Sequence, residues 1–93
     1  MFAIAFDLTV AEVLRQHPRS VPAAHEEIAR VLASFAFEWK QGSLYVTDNE
    51  DLANLMLAMQ ALKALAWFPA SVRDIRAFRV EQWSDFTGFM KTS

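Results

Sequence analysis

The chain has 93 residues, 54% of them hydrophobic and 22% charged, with no cysteine and a formal net charge of −2. That length predicts one domain, residues 1–93, with a small core, and the hydrophobic excess over the usual ~45–50% predicts apolar surface for a second copy to cover. The composition excludes a disulfide framework and a thiolate metal site, and the net charge argues against the coating of nucleic acid by bulk positive charge while leaving room for a local basic patch; no apolar run approaches a membrane span, and the early Asp7 and Glu12 argue against a secretory leader, so a cytoplasmic protein is expected.

Residues 2–8, Phe-Ala-Ile-Ala-Phe-Asp-Leu, alternate a bulky set (Phe2, Ile4, Phe6, Leu8) with a small set ending in a carboxylate (Ala3, Ala5, Asp7). In a strand these sets occupy opposite faces, so the bulky one faces a core and the alanines line a second face leading to Asp7. Asp7 either carries chemistry there or begins the following turn. Residues 10–16 have the makings of a short helical turn, but His17-Pro18 breaks it, and the stretch reads as a long connection. Ser20 caps a helix over 21–35, with Pro22 in its first turn and Ala24, Ile28, Val31, Leu32 and Phe35 on its inner face.

The period then becomes two, predicting a hairpin with strands 37–41 and 43–47 and Gly42 in its turn. A second helix begins near Glu50, behind the capping group Asp48-Asn49, with a core stripe of Leu52, Leu55, Met56, Met59, Leu62 and Leu65 and with Leu57 off that stripe. Trp67-Phe68-Pro69 ends it. Residues 72–81 suit a fourth strand, although Ile75 and Ala77 share one parity and Phe78 and Val80 the other; both faces are covered, or a bulge switches the register midway. The aromatic tail 83–89 is expected to pack across the sheet or onto a second copy. Strand, helix, strand, strand, helix, strand is the split βαβ order of a ferredoxin-like α+β sandwich, a four-stranded antiparallel sheet with both helices on one face. If Leu44 and Val46 face the helices, the open face displays Ser43, Tyr45 and Thr47 beside the alanines. Small residues there admit a second sheet, which predicts a homodimer.

Most enzyme signatures are missing: there is no phosphate-cradling glycine loop, no zinc-binding histidine pattern and no Cys/His pair. His17 and His25 read as solvated surface residues. One aspartate per chain is a poor catalyst, but a twofold axis through the open face brings Asp7 near its symmetry mate. Two carboxylates then suit a hard cation such as Mg²⁺, which takes a few carboxylates plus water and phosphate oxygens and activates a phosphodiester.

Several stretches together resemble the virulence-associated protein D (VapD) family: the opening Met1-Phe-Ala-Ile-Ala-Phe-Asp7-Leu, Gln41-Gly-Ser-Leu-Tyr45, Asn49-Glu-Asp-Leu-Ala-Asn-Leu55, Ser71-Val-Arg-Asp-Ile-Arg-Ala-Phe-Arg79 and Glu81-Gln-Trp-Ser-Asp-Phe86. That family is similar to the small CRISPR-associated adaptation nucleases. The resemblance implies a ferredoxin-like fold, a homodimer and endoribonuclease activity, in some members as the toxin of a toxin–antitoxin pair, with an antitoxin as partner. It implies Asp7 as catalytic aspartate and Gln41, Ser43 and Tyr45 as a second motif in which Ser43 orients water or phosphate. Lys40, Arg73, Arg76 and Arg79 become candidate RNA-phosphate contacts, since cations position a nucleic-acid strand without reading its sequence. Tyr45 and Trp39 are candidates for base stacking, with core or dimer packing the other reading for Trp39. The alternative is a non-enzymatic interaction protein whose sheet and tail bind an antitoxin or another partner.

Overall fold

A computed structural model describes residues 1–92. The first strand, β1 (Phe2–Leu8), leads into α1 (Val10–Gln16) and α2 (Val21–Ala33). Strands β2 (Glu38–Gln41) and β3 (Leu44–Thr47) form the hairpin, followed by α3 (Leu52–Lys63), the single turn α4 (Phe68–Ser71), β4 (Val72–Arg79) and α5 (Thr87–Lys91). The sheet order is β2-β3-β1-β4, with β1 antiparallel to both neighbours, and the larger helices pack on one face. This is the ferredoxin-like sandwich anticipated from the order of elements.

The local signals act where expected. The Ser20 hydroxyl accepts the Ala23 N–H at 3.1 Å, and Pro22 occupies the first turn of α2, where its missing N–H costs nothing. Asp51 caps α3 by accepting the Ala53 N–H at 2.9 Å, so the helix starts at Leu52, two positions after Glu50. Gly42 turns the hairpin at φ +49°, a region that L side chains rarely enter. Residues 10–16 depart from the expected connection: Val13 is buried, and its anchoring turns the stretch into α1. His17, ahead of Pro18, adopts extended backbone and ends that helix.

Helix α2 stops through a pair of backbone bonds, Phe37 N–H to the Leu32 carbonyl and Ala36 N–H to the Ala33 carbonyl. Ala36 stands at φ 65°, where such a terminus usually has glycine. Leu32 and Phe37, on either side of the reversal, are both buried.

Phe2, Ile4 and Phe6 enter the core with Ala24, Ile28, Leu32, Tyr45, Leu55, Leu62 and Phe68, and Leu8, Val31 and Phe35 pack around them. The α3 stripe is narrower than its sequence suggests: Leu55, Ala58 and Leu62 are buried and Met59 packs beside them, whereas Leu52 and Met56 are exposed. Pairing corrects the orientation of β3. Ile4 opposes Tyr45 and Phe2 opposes Thr47, so Tyr45 and Thr47 face the helices, while Leu44 and Val46 oppose Ala5 and Ala3 on the open face. Tyr45 takes that side because its ring stacks on Phe6, centroids 6.0 Å apart. In β4 a bulge does occur, but at the start rather than midway. Asp7 opposes Asp74 and Leu8 opposes Val72, leaving Arg73 as the extra residue. Beyond it Ile75 and Ala77 face the core, and Arg76 and Phe78 the open side.

His17 is buried rather than solvated. Its Nδ1 accepts the Arg19 N–H at 3.1 Å, which puts the ring proton on Nε2, 3.1 Å from Glu27 Oε2. The Trp67 indole N–H reaches Glu27 Oε1 at 3.3 Å, and its ring meets that of His17 edge-on at 5.1 Å. One carboxylate thereby joins the α1–α2 connection, α2 and the segment before α4. The hydrogen bonds from His17 and then from Trp67 hold Glu27 below the usual carboxylate range.

Candidate active site

Asp7 is the last open-face residue of β1 before the bulge, and the register sets Asp74 directly opposite it. Like charges facing each other across two strands repel. Each is offset by an arginine: Arg73 donates Nε to Asp7 Oδ2 at 2.9 Å and also engages it through Nη2, and Arg76 Nε lies 3.1 Å from Asp74 Oδ2. The bulge makes the first contact possible by aiming Arg73 back over β1. The Asp74 carboxylate in turn raises the pKa of Arg76 through its hydrogen bond and charge. All four side chains are at least half exposed, so solvent screens these pairs and they exchange readily for another partner.

The hairpin turn reaches the same end of the sheet, because the Phe6 N–H donates to the Ser43 carbonyl at 3.2 Å. Ser43 is half-buried in the turn beside Phe6, on the parity of Tyr45 and Thr47 rather than that of Asp7, so the register does not give it to the open face as expected. Gln41 opposes Leu44 and is exposed. Tyr45 is separated from this group by the sheet itself; it is buried among the core aromatics, and desolvation raises its phenol pKa. Trp39 is exposed and donates its indole N–H to the Gly42 carbonyl at 2.8 Å, which braces the turn.

The four cations do not form one patch. Arg73 and Arg76 stand at the Asp7 end of the sheet. Arg79 opposes Phe2 on the helix side, its guanidinium carbon 4.9 Å from that ring's centroid and one nitrogen 3.2 Å from Glu50 Oε2. Lys40 lies on the far edge strand, 3.8 Å from Glu38.

Asp74 is the residue that sequence reasoning missed. Its signal was present, a carboxylate in an arginine-rich strand, but only the bulged register places it against Asp7. Among the described residues no group of three or more His, Cys, Asp or Glu side chains forms a metal cluster. Two hard carboxylates nevertheless match Mg²⁺, which commonly takes one or two and completes its shell with water and phosphate.

Fold and site together define a ferredoxin-like protein with paired strand-end carboxylates, each held by an arginine. No family model matches the chain. It is 58% identical over 91 residues to Endoribonuclease VapD of Haemophilus influenzae, covering 98% of this chain and 99% of that protein. Identity is 55% over 92 residues to an Endoribonuclease VapD homolog of Neisseria gonorrhoeae, 99% and 100% of the two chains. It is 39% over 94 residues to Endoribonuclease VapD of Helicobacter pylori, again 99% and 100%. The chain belongs to the VapD family.

Proposed function

We propose that this protein is an endoribonuclease acting as a homodimer in the cytoplasm, as the toxin of a toxin–antitoxin pair whose antitoxin is its protein partner. The observation that carries the reading is the Asp7–Asp74 pair with its two arginines, in a chain alike over its full length to proteins named as endoribonucleases. No helix among the described residues is long and apolar enough to cross a membrane. The kinship of the family with the small CRISPR-associated adaptation nucleases belongs to the same reading.

In this mechanism an incoming phosphodiester displaces the carboxylates from Arg73 and Arg76, which then hold the non-bridging oxygens and offset charge as it develops. Asp7, freed from Arg73, accepts the proton of the attacking oxygen, whether of water or of the neighbouring 2′-hydroxyl, and Ser43 orients that oxygen or the phosphate. The new P–O bond forms as the bond to the leaving ribose oxygen breaks, and that oxygen takes up a proton. Gln41 and Tyr45 support the site, Gln41 at the surface and Tyr45 by packing beneath β1. Lys40 and Arg79 meet phosphates farther along the strand. Mg²⁺ held by Asp7, shared with the Asp7 of the second copy, would supply further activation of the phosphodiester.

Ala5, Leu44, Arg76 and Phe78 are accessible on the open face beside Asp7 and Asp74, whereas Ala3 and Val46 are already buried within one chain. The exposed Phe78 and aromatic tail support a second reading, a binding surface for the antitoxin without catalysis. Cleavage of RNA by purified wild type, Asp7→Ala and Asp74→Asn, with and without Mg²⁺ and after each is shown to have the same mass, separates the two. Loss of about 10²-fold or more in Asp7→Ala is expected. Equal cleavage by wild type and Asp7→Ala eliminates the role of Asp7.

A further inference from the structure

Two pairing registers meet between β1 and β4. From Phe2 opposite Arg79 to Asp7 opposite Asp74 the strands keep one register, but Leu8 opposes Val72, and the Thr9 N–H donates to the Ser71 carbonyl at 2.8 Å. Continued unbroken, the first register would set Arg73 opposite Leu8, on the helix side, where it could not reach Asp7. The bulge therefore decides which face Arg73 takes, and whatever holds the second register holds the pairing of Arg73 with Asp7.

Resting on the endoribonuclease reading above, we propose that Ser71 is a positioning residue of that site: together with the Thr9 N–H it clamps the bulge and so keeps Arg73 at Asp7.

Ser71 is fully buried and takes no part in the chemistry described above. Its hydroxyl donates to the Trp67 carbonyl at 2.8 Å, four residues back, and the Val72 N–H donates to the Phe68 carbonyl, so α4 closes on itself immediately before the bulge. The turn is anchored at its other end. Trp67 is buried with its indole N–H on Glu27, and the Phe68 ring lies edge-on to those of Trp67 and Phe6, with centroids 5.7 Å and 6.0 Å away. Removing the bulge would slide this turn by one residue, about 3.3 Å along the strand. A close-packed interior does not admit such a shift of two aromatic rings. Ser71 offers one group to each side, its hydroxyl to the anchored turn and its carbonyl to the chain just past Asp7. Alanine in its place fills nearly the same space and removes only the hydroxyl link. Thr9→Pro breaks the clamp from the other side by deleting the N–H. Thr9 stands at φ −85°, close to what proline requires, its side chain caps nothing, and Leu8 before it is extended.

The test measures cleavage of single-stranded RNA and amide exchange in the full chain. Ser71→Ala and Thr9→Pro are each expected to lower kcat about 10- to 100-fold, the scale on which a misplacement of about 1 Å acts. Ser71→Ala also speeds exchange of the Thr9 amide about 2- to 12-fold, the net worth of one hydrogen bond. Ser20→Ala, which removes the cap of α2 at a similar cost in stability, keeps the wild-type kcat. In Arg73→Gln no guanidinium is left to place, so adding Ser71→Ala lowers kcat by less than about 2-fold more. An undiminished effect in that background, or a Ser20→Ala variant that loses as much, assigns Ser71 to stability alone and overturns the proposal. If wild type cuts RNA, Asp7→Ala does not, and both Ser71→Ala and Thr9→Pro match wild type, the clamp alone is wrong. Wild type that cuts no RNA, or Asp7→Ala that cuts as well as wild type, overturns the enzymatic reading and the role of the clamp with it.

Discussion

Glu27→Gln tests the buried cluster most directly, because it keeps the shape of the side chain and changes only what its two terminal atoms do. In the native protein both carboxylate oxygens accept, one from His17 Nε2–H and one from the Trp67 indole N–H. Gln has one acceptor and one NH₂ group. Trp67 can only donate, and His17 keeps its proton on Nε2 because Nδ1 is committed to the Arg19 N–H. One donor is therefore left facing another. An unmet donor at a largely buried site costs about 1–3 kcal/mol, and in a chain of this size each kcal/mol lowers Tm by about 4–8 °C. The loss depends on pH with a definite sign. Glu27 is held below its usual range, so its stabilisation is complete above the unfolded carboxylate pKa and disappears as pH falls through the lower folded value. Once protonated, Glu27 has one carbonyl acceptor and one donor, as Gln does. Thermal unfolding followed by circular dichroism at equal protein concentration is expected to show Glu27→Gln well below wild type at neutral pH, with the two converging in acid, below the usual carboxylate range. Equal Tm values at neutral pH, or a gap that persists undiminished in acid, would refute the reasoning.

Ala36→Gly is expected to stabilise the protein by up to about 1 kcal/mol, since left-handed backbone costs alanine about 1–2 kcal/mol and the looser unfolded chain returns only part of that; urea unfolding measures it, and a loss of stability counts against the strained terminus. Arg76→Gln should flatten the salt dependence of single-stranded RNA affinity by about 0.7 in log–log slope, and Arg79→Gln, engaged with Phe2 and Glu50 on the other face, should change it less. Equal slopes for the two variants would show that the faces do not distinguish them. Ala5→Leu puts a bulky group on the accessible open face and should weaken dimerisation by about 1–3 kcal/mol per copy; light scattering that shows an unchanged mass at low concentration argues against that face as the interface.

The alternation of residues 2–8 assigned both faces of β1 correctly, because a central strand between two partners has little freedom to do otherwise. Strand β3 offered no such certainty. Leu44 and Val46 are as apolar as Tyr45, and the choice rests on the stacking of Tyr45 with Phe6, which is invisible until the register is known. His17 was misread for a similar reason: beside a proline it resembles any loop histidine, and its burial depends on Glu27 and Trp67, one of them fifty residues away in sequence. At the candidate site, the place of Asp7 at the open-face end of β1 was legible from the alternation of residues 2–8. Asp74 was not, because a one-residue bulge decides whether it or Arg73 faces Asp7, and side-chain parity cannot announce a bulge in advance. The four candidate cations were expected to act together, and their separation onto two faces and two edges was not legible in the sequence.

Strand β4 also forms one margin of the sheet, so its outward N–H and C=O groups have no neighbouring strand. Eight residues of open hydrogen-bonding margin would template stacking of one molecule on the next. Arg73, Asp74, Arg76 and Arg79 place charge along that margin and keep it in water. The groups proposed to meet RNA thus also protect solubility, and substitutions that neutralise them will lower the concentration at which the protein stays dispersed, even where folding itself is unaffected.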